Sequence, residues 1–310
     1  MTQIDKKCSL SIFVARTDIP FMMETIPHLV RMCNYDIFEK CLIIDTAPLS
    51  GKYKDRPGIG TLSDLRECCE KLVKQGVIDR LIDIDYSQET IKKLYRKHFG
   101  RFVRHTHNYR GYPIYGSIFA IEAVKGDHIL HFDSDMLLHQ NPSFNWIEEG
   151  IELLEKNEKV MFVSPLSGPP TEDGYLKQRG VEYELDQGGF YKFQDFTSRK
   201  YLLKKDKFDT FLPMKPAWIS WKRRLASVIT GKSPLWNWEV MVSQHLKKTG
   251  TLRADLASPY AWTLHTPDHG EEFIKALPQV INQVEKGSYP KEQAGDYDLD
   301  LNLWKQLSQL

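Results

Sequence analysis

Asp133 and Asp135 close an apolar run, His128-Ile-Leu-His-Phe-Asp133-Ser-Asp135. Residues i and i+2 of an extended chain point the same way, so the two carboxylates face one side and together suit a divalent cation. A bare Asp-x-Asp also occurs in solvated turns. This pair, however, ends a strand-like segment that follows a helical pattern and Gly126-Asp127, and open parallel sheets bind ligands outside the carboxyl ends of their strands. Other chemistry-bearing groups sit at comparable points. Asp45 ends the run "CLIIDTAP", where a cap or turn is the alternative reading. Ala15-Arg16-Thr17-Asp18 follows the first apolar run, either facing a ligand or forming a simple turn with Asp18 as its cap. Arg104, His107 and Arg110 in "RHTHNYRGYP" offer cations for phosphate, or a solvated patch. "WTLHTPDHG" supplies His265 and His269, and Trp236 and Trp238 flank Asn237 just before Glu239, as rings that stack on a ligand or as core. The basic run "WKRRLASVITGK" reads as a solvated helix face or as a contact for an anionic or lipid-linked ligand.

Positioning such groups requires strands that end together, and the apolar pattern supplies them. Leu10–Ala15, Cys41–Asp45, Val77–Asp85 and His128–Asp133 read as strands, with Val160–Ser164 and Leu252–Leu256 further on. Helical spacing covers Phe21–Cys33, Leu62–Gln75, Glu89–His98, Ile114–Val124, Asn145–Glu155 and Trp236–Leu246. The alternation predicts an α/β fold with a central, mostly parallel sheet and helices on both faces. One domain is expected over residues 1–285, with 286–310 as a C-terminal tail packing on it.

The 310 residues are 41% hydrophobic and 27% charged, which excludes disorder and collagen-like repeats. Lys+Arg number 42 against 41 Asp+Glu, a net charge of +1, so no overall field drives nucleic-acid or membrane binding. Any such contact must be local. The five cysteines, Cys8, Cys33, Cys41, Cys68 and Cys69, form no Cys-x-x-Cys pair and read as reduced core residues. The apolar run after Lys6 and Lys7 stops at Arg16 and Asp18, too short for a secretory leader or for the ~20 residues of a spanning helix, and a cytoplasmic location is expected.

Taken in order, the opening strand, Asp45, "KGDHILHFDSDM" and "FTSRKYLLKKDKF" resemble the family 2-like nucleotide-diphospho-sugar glycosyltransferases of the GT-A fold, over Leu10 to about Lys207. The resemblance implies a Rossmann-like GT-A domain and a metal-dependent transfer of a sugar, from a UDP-type donor by preference, to a hydroxyl acceptor with inversion. It assigns Asp135 to direct ligation of Mn²⁺ or Mg²⁺, Asp133 to the ribose or a metal-bound water, and Asp45 to the base. Ala15, Arg16 and Thr17 become the nucleotide-facing loop. His265 becomes a C-terminal metal ligand, and an imidazole ligand favours Mn²⁺. Glu239, at the helix start in "WNWE", becomes the general base, with Asp209 in "KKDKFDTF" as its rival. Where the family carries an Arg-Asn pair this chain has Ser117-Ile118, and Arg104, His107 or Arg110 would then meet the diphosphate. Gly188-Gly189 stands in for a Gly-Ser pair on the acceptor side.

Competing classes are a sugar-1-phosphate nucleotidyltransferase, which "VARTDIPF" disfavours by lacking a glycine-rich segment, and a non-catalytic sugar-nucleotide-binding protein. A haloacid-type phosphatase carries its Asp-x-Asp on the first strand, whereas this one follows three. The expected partners are the donor and a glycan, lipid-linked or small hydroxyl acceptor, with peripheral membrane contact and no nucleic acid.

Overall fold

Apolar runs separated by amphipathic helices bury both faces by pairing side by side, and in the computed structural model, which describes residues 6–53, 60–178 and 180–307, they do so. The first half runs β1 (Cys8–Val14), α1 (Met22–Cys33), β2 (Glu39–Ile44), α2 (Leu62–Lys74), β3 (Arg80–Asp83), α3 (Gln88–Phe99), α4 (Tyr115–Ala123) and β4 (His128–Asp133). It continues with β5 (Met136–Gln140), α5 (Trp146–Lys156), β6 (Val160–Ser164), β7 (Leu166–Ser167), β8 (Tyr183–Asp186), β9 (Phe190–Phe193), β10 (Lys200–Lys204) and α6 (Lys205–Phe211). Last come α7 (Trp221–Thr230), α8 (Trp238–Thr249), β11 (Leu252–Leu256), β12 (Ala261–His265), α9 (Glu271–Glu285) and α10 (Leu301–Leu307).

The nine-stranded sheet has the order β3-β2-β1-β4-β10-β6-β11-β9-β8. Its first four strands are mutually parallel, as are β6 and β11, while β10 and the β8–β9 edge hairpin bring antiparallel pairings. One face is covered through Met22, Ile26, Leu65, Cys69, Trp146 and Ile151 of α1, α2 and α5. The other is covered through Ile91, Leu94, Ile118, Ile121, Phe208 and Met241 of α3, α4, α6 and α8. The expected α/β architecture is present.

Two departures from the expected pattern bear on the site. β10 lies in the middle of the sheet, although its sequence, KYLLK, belongs to a basic stretch. Lys200 is fully buried there because Pro165 O, Ser167 Oγ and Thr263 Oγ1 accept from its Nζ at 2.9, 2.9 and 2.6 Å. In addition, β5 leaves the main sheet directly after Asp135 and joins β12 and β7 in a three-stranded sheet. A third core of Trp262, Leu277, Val280, Leu299 and Trp304 backs that sheet, so residues beyond 285 contribute buried side chains. Among the described residues, no helix is long and apolar enough to cross a membrane.

Candidate functional site

β1 and β4 pair so that Phe13 stands opposite Asp133, which brings the Ala15–Asp18 turn and the two aspartates to one end of the sheet. A cavity of about 560 Å³ opens there, lined by Ala15, Thr17, Asp18, Asp45, Asp133, Asp135, Arg199, Glu239, His265 and Asp298 among others. It lies at the carboxyl ends of the parallel strands, where such sheets bind ligands.

The carboxylate wall is built by register. β5 and β12 pair antiparallel with Met136 opposite His265, so the histidine arrives beside the residue before Met136, Asp135. Asp135 Oδ2 lies 3.6 Å from His265 Nε2 and 3.7 Å from His269 Nε2. The backbone carbonyl of Asp135 accepts from the Thr266 hydroxyl at 2.8 Å, which fixes the turn. Asp135 Oδ1 is buried with no hydrogen-bond partner among the described residues. His265 Nδ1 lies 2.6 Å from Asp298 Oδ1, an arrangement that turns Nε2 toward the aspartate. Burial alone would lower His265, but Asp135 and Asp298 raise it; burial would raise Asp135, but His265 holds it down. Asp133 Oδ1 lies 3.3 Å from His131 Nε2, and the His131 ring stacks on Tyr201 at 4.7 Å. Asp18 accepts from the Ala15 amide at 2.9 Å and from the Thr17 hydroxyl at 2.7 Å, and desolvation pushes it up to about 7.

Arg199 sits among these acids. Burial would lower its guanidinium, but Tyr297, Glu239, Asp135 and Asp133 around it raise it above the ordinary arginine value. It is a permanent cation with five donors, suited to a diphosphate.

Asn237, also in the lining, caps α8, its side chain accepting from the Val240 amide at 3.3 Å. Trp238 is buried against Phe196 and Tyr201 and pins the helix start; truncating such a ring to alanine costs about 3–5 kcal/mol. Glu239 then faces the cavity with its carboxylate held by the Ser198 amide at 2.8 Å, the Ser198 hydroxyl at 3.1 Å and Asn237 Nδ2 at 2.9 Å.

The third wall carries Asp45. Its Oδ1 accepts from the Tyr86 hydroxyl at 2.7 Å and the Ala47 amide at 2.9 Å, while Oδ2 lies 3.7 Å from His107 Nε2. The Asn108 side chain shapes the turn that carries Arg110, accepting from the Arg110 and Tyr112 amides at 2.9 Å each. That turn meets the 50–53 loop at two glycines in the left-handed region, Gly51 (φ +58°) and Gly111 (φ +92°). A Cβ on Gly111 would stand 2.2 Å from the Ser50 carbonyl oxygen, so only glycine permits the approach.

Among the proposed site residues, the cavity thus gathers Ala15, Thr17, Asp45, Arg110, Asp133, Asp135, Glu239 and His265. Arg16 is not among its lining residues: in the tight 3₁₀ turn Arg16–Asp18 successive side chains diverge by about 120°, and Thr17 and Asp18 take the inward directions. Asp209 is also outside. β10 runs antiparallel to β4 and ends with Lys204 opposite His128, at the amino end of β4, so α6 starts away from the cavity and Asp209 pairs with Lys97 at 2.8 Å. Arg104 is absent from the lining, and Gly188-Gly189 form the β8–β9 hairpin turn. Trp238 is core, while Trp236 is 37% exposed and meets Tyr109 edge-on. Arg199, His131, Asp18 and Asp298 join the site without having been singled out for these roles.

Comparison with solved structures returns GalNAc-T7 with UDP, GalNAc and Mn²⁺ at TM-score 0.49 and 12% identity, over 84% of this chain and 44% of that one. It also returns the mannosyltransferase PcManGT from Pyrobaculum calidifontis in complex with GDP-Man and Mn²⁺, at 0.44 and 9%, over 90% and 63%. A third is S. aureus TarS 1-349 in complex with UDP-GlcNAc, at 0.46 and 10%, over 89% and 66%. The chain spans less than two thirds of the length of each. No protein-family model matches it, and no curated protein matches it. The functional reading therefore rests on the cavity.

Proposed function

We propose that this chain is a metal-dependent glycosyltransferase that moves a sugar from a nucleotide-diphospho-sugar, UDP-linked by preference, to a hydroxyl acceptor with inversion. The observation that carries the reading is the buried Asp135 Oδ1, unpartnered among the described residues, in a cavity that also holds His265, Arg199 and Glu239.

The residues fit a divalent ion of the Mn²⁺ type. Asp135 offers an orphaned carboxylate oxygen, and His265 offers an Nε2 turned toward it by Asp298. Among the described residues no three His, Cys, Asp or Glu side chains come together to hold a metal ion. An open donor set of this kind suits an ion that completes its shell with water and ligand phosphate oxygens. Asp135 and His265 would hold it, with Asp133 turned to the ribose or to a bound water. When bound, the ion would offset the charge of the departing diphosphate.

The chain's own groups supply the rest. Arg199 and Arg110 bind phosphate oxygens, and Asp45 accepts from the base. Glu239 takes the acceptor hydroxyl proton as that oxygen bonds to the anomeric carbon. The bond from that carbon to the diphosphate oxygen breaks on the other side, and its electron pair leaves with the nucleoside diphosphate. The cytoplasmic setting belongs to the same reading, the five cysteines standing as free thiols.

Melting curves with UDP-, GDP- and TDP-sugars plus Mn²⁺ test the proposal, because a ligand present at 100 times its Kd stabilises the fold by about 2.7 kcal/mol. One donor should raise Tm selectively, and Asp135→Asn should lose that shift while melting normally without ligand. A chain that no nucleotide-sugar stabilises would defeat it, and specific binding without turnover would favour the non-catalytic binder.

A further inference from the structure

Helix α7 turns its apolar side away from the protein. Trp221, Leu225, Val228 and Ile229 recur at i, i+4, i+7 and i+8, one face of a helix, and are 68%, 62%, 74% and 91% exposed. The helix's buried residue is Ser227, which points the other way. Surface helices ordinarily bury the apolar stripe and expose the polar one, so this helix is arranged for contact with something outside the chain. A solvated helix accounts for its charges but not for Ile229.

The charges identify the occupant. At 100° per residue, Lys222 and Arg224 border the apolar stripe on its two sides. From residue 210 to 238 there is no aspartate or glutamate, while Lys215, Lys222, Arg223, Arg224 and Lys232 give five positive charges. The whole chain carries only +1, so the remainder is net negative, although residues 90–121 form a second acid-free basic stretch. An apolar stripe edged by Lys and Arg is the composition of a helix that lies in the headgroup layer of an anionic bilayer. A second copy fits poorly: an isologous pairing of α7 with itself would bring this acid-free patch against its own positive charges.

The location connects the helix to the cavity. Arg223 lies over the Tyr109 ring at 5.6 Å, and Tyr109 meets Trp236 edge-on at 5.8 Å and carries Arg110 over its own face at 5.2 Å. Arg110 and the Asn237–Glu239 step both line the cavity. We propose that α7 docks on an anionic membrane surface, its stripe of Trp221, Leu225, Val228 and Ile229 entering the headgroup layer and its basic residues meeting the lipid phosphates. The Glu239 side of the cavity is thereby brought close to that surface. This inference stands on surface chemistry and does not depend on the transfer reaction.

Co-sedimentation of the full chain with vesicles tests it. Binding is expected to phosphatidylcholine vesicles that contain phosphatidylglycerol, to weaken as salt is raised, and to be absent with phosphatidylcholine alone. The exposed double variant Val228→Glu/Ile229→Glu should lose binding with unchanged Tm, and Lys222→Glu/Arg224→Glu should weaken it roughly tenfold or more. No binding to anionic vesicles at low salt, or equal binding by the Val228/Ile229 variant, overturns the proposal. A concentration-dependent dimer in light scattering that Ile229→Glu dissociates also overturns it, assigning the stripe to a second copy.

Discussion

Asp298 touches no reacting atom in the proposed transfer, yet it decides which imidazole nitrogen His265 offers. Its carboxylate lies 2.6 Å from Nδ1, so Nε2 is the nitrogen that faces Asp135. Losing such a partner typically weakens metal affinity 10–100-fold. Asp298→Ala should therefore raise the Mn²⁺ concentration needed for donor binding by roughly 10–100-fold while leaving metal-free UDP binding unchanged, as isothermal titration can read. Equal Mn²⁺ requirement in the two proteins would make the pair purely structural. Glu239 calls for a different readout. Glu239→Gln can still accept from Ser198 but cannot take a proton, so kcat should fall by roughly 10²–10⁴ with donor affinity nearly intact. The NMR coupling of the product's anomeric proton should show inversion; retained configuration, or near-normal turnover, would remove the base from Glu239.

At the scale of elements, the cavity depends on two loops that approach within a glycine's allowance. Gly111→Ala would set a Cβ 2.2 Å from the Ser50 carbonyl oxygen at a φ of +92°. Such strain costs on the order of 1–3 kcal/mol and is relieved by parting the 50–53 and 108–112 loops. The expected result is a weaker Kd for UDP with a retained far-UV spectrum; an unchanged Kd would mean that these loops do not contact the nucleotide. The elements differ in how openly the sequence declares them. β4 was readable because HILHF is an apolar run closed by carboxylates, and α8 because its apolar residues recur at helical spacing. β10 was not, because its buried Lys200 is satisfied by acceptors on β7, β12 and Pro165, contacts far along the chain. β5 was hidden for a similar reason: nothing in MLLHQ tells that it leaves the main sheet, and only the pairing with β12 gives His265 its place. Asp298, in "DYDLDL", reads as one more acid in a polar stretch until His265 is seen beside it.

For the molecule as a whole, five buried histidines set the response to acid. Burial lowers His28, His98, His128, His139 and His245 from the ordinary value of 6.5. The unfolded chain would take up protons near that value which the folded chain refuses, so the unfolded state binds more protons and stability rises with pH through this window. Glu122 adds to the trend lower down: burial would raise it, but His98 and Lys97 hold it at about 2. His265 and Asp18 work the other way, both raised in the folded chain, but they are two groups against six once His105, lowered by its partial burial, is counted. Tm should therefore fall steadily from about pH 7.5 to about pH 5.5, as calorimetry would record. A flat profile would mean that these rings are protonated in place.

The order in which the walls of the cavity are synthesised has its own consequence. Ala15, Asp45 and Asp133 belong to the first half of the chain, whereas Asp298, the residue that orients His265, is translated about 160 residues after Asp135. At about 5–20 residues per second, a nascent chain holds its first carboxylates for on the order of 8–30 s before the residue that aims the imidazole has been made. On the proposed reading, a chain stalled in that interval would carry the loops assigned to the nucleotide without the residues assigned to the metal, and ribosome-bound intermediates should retain UDP far better than they retain Mn²⁺.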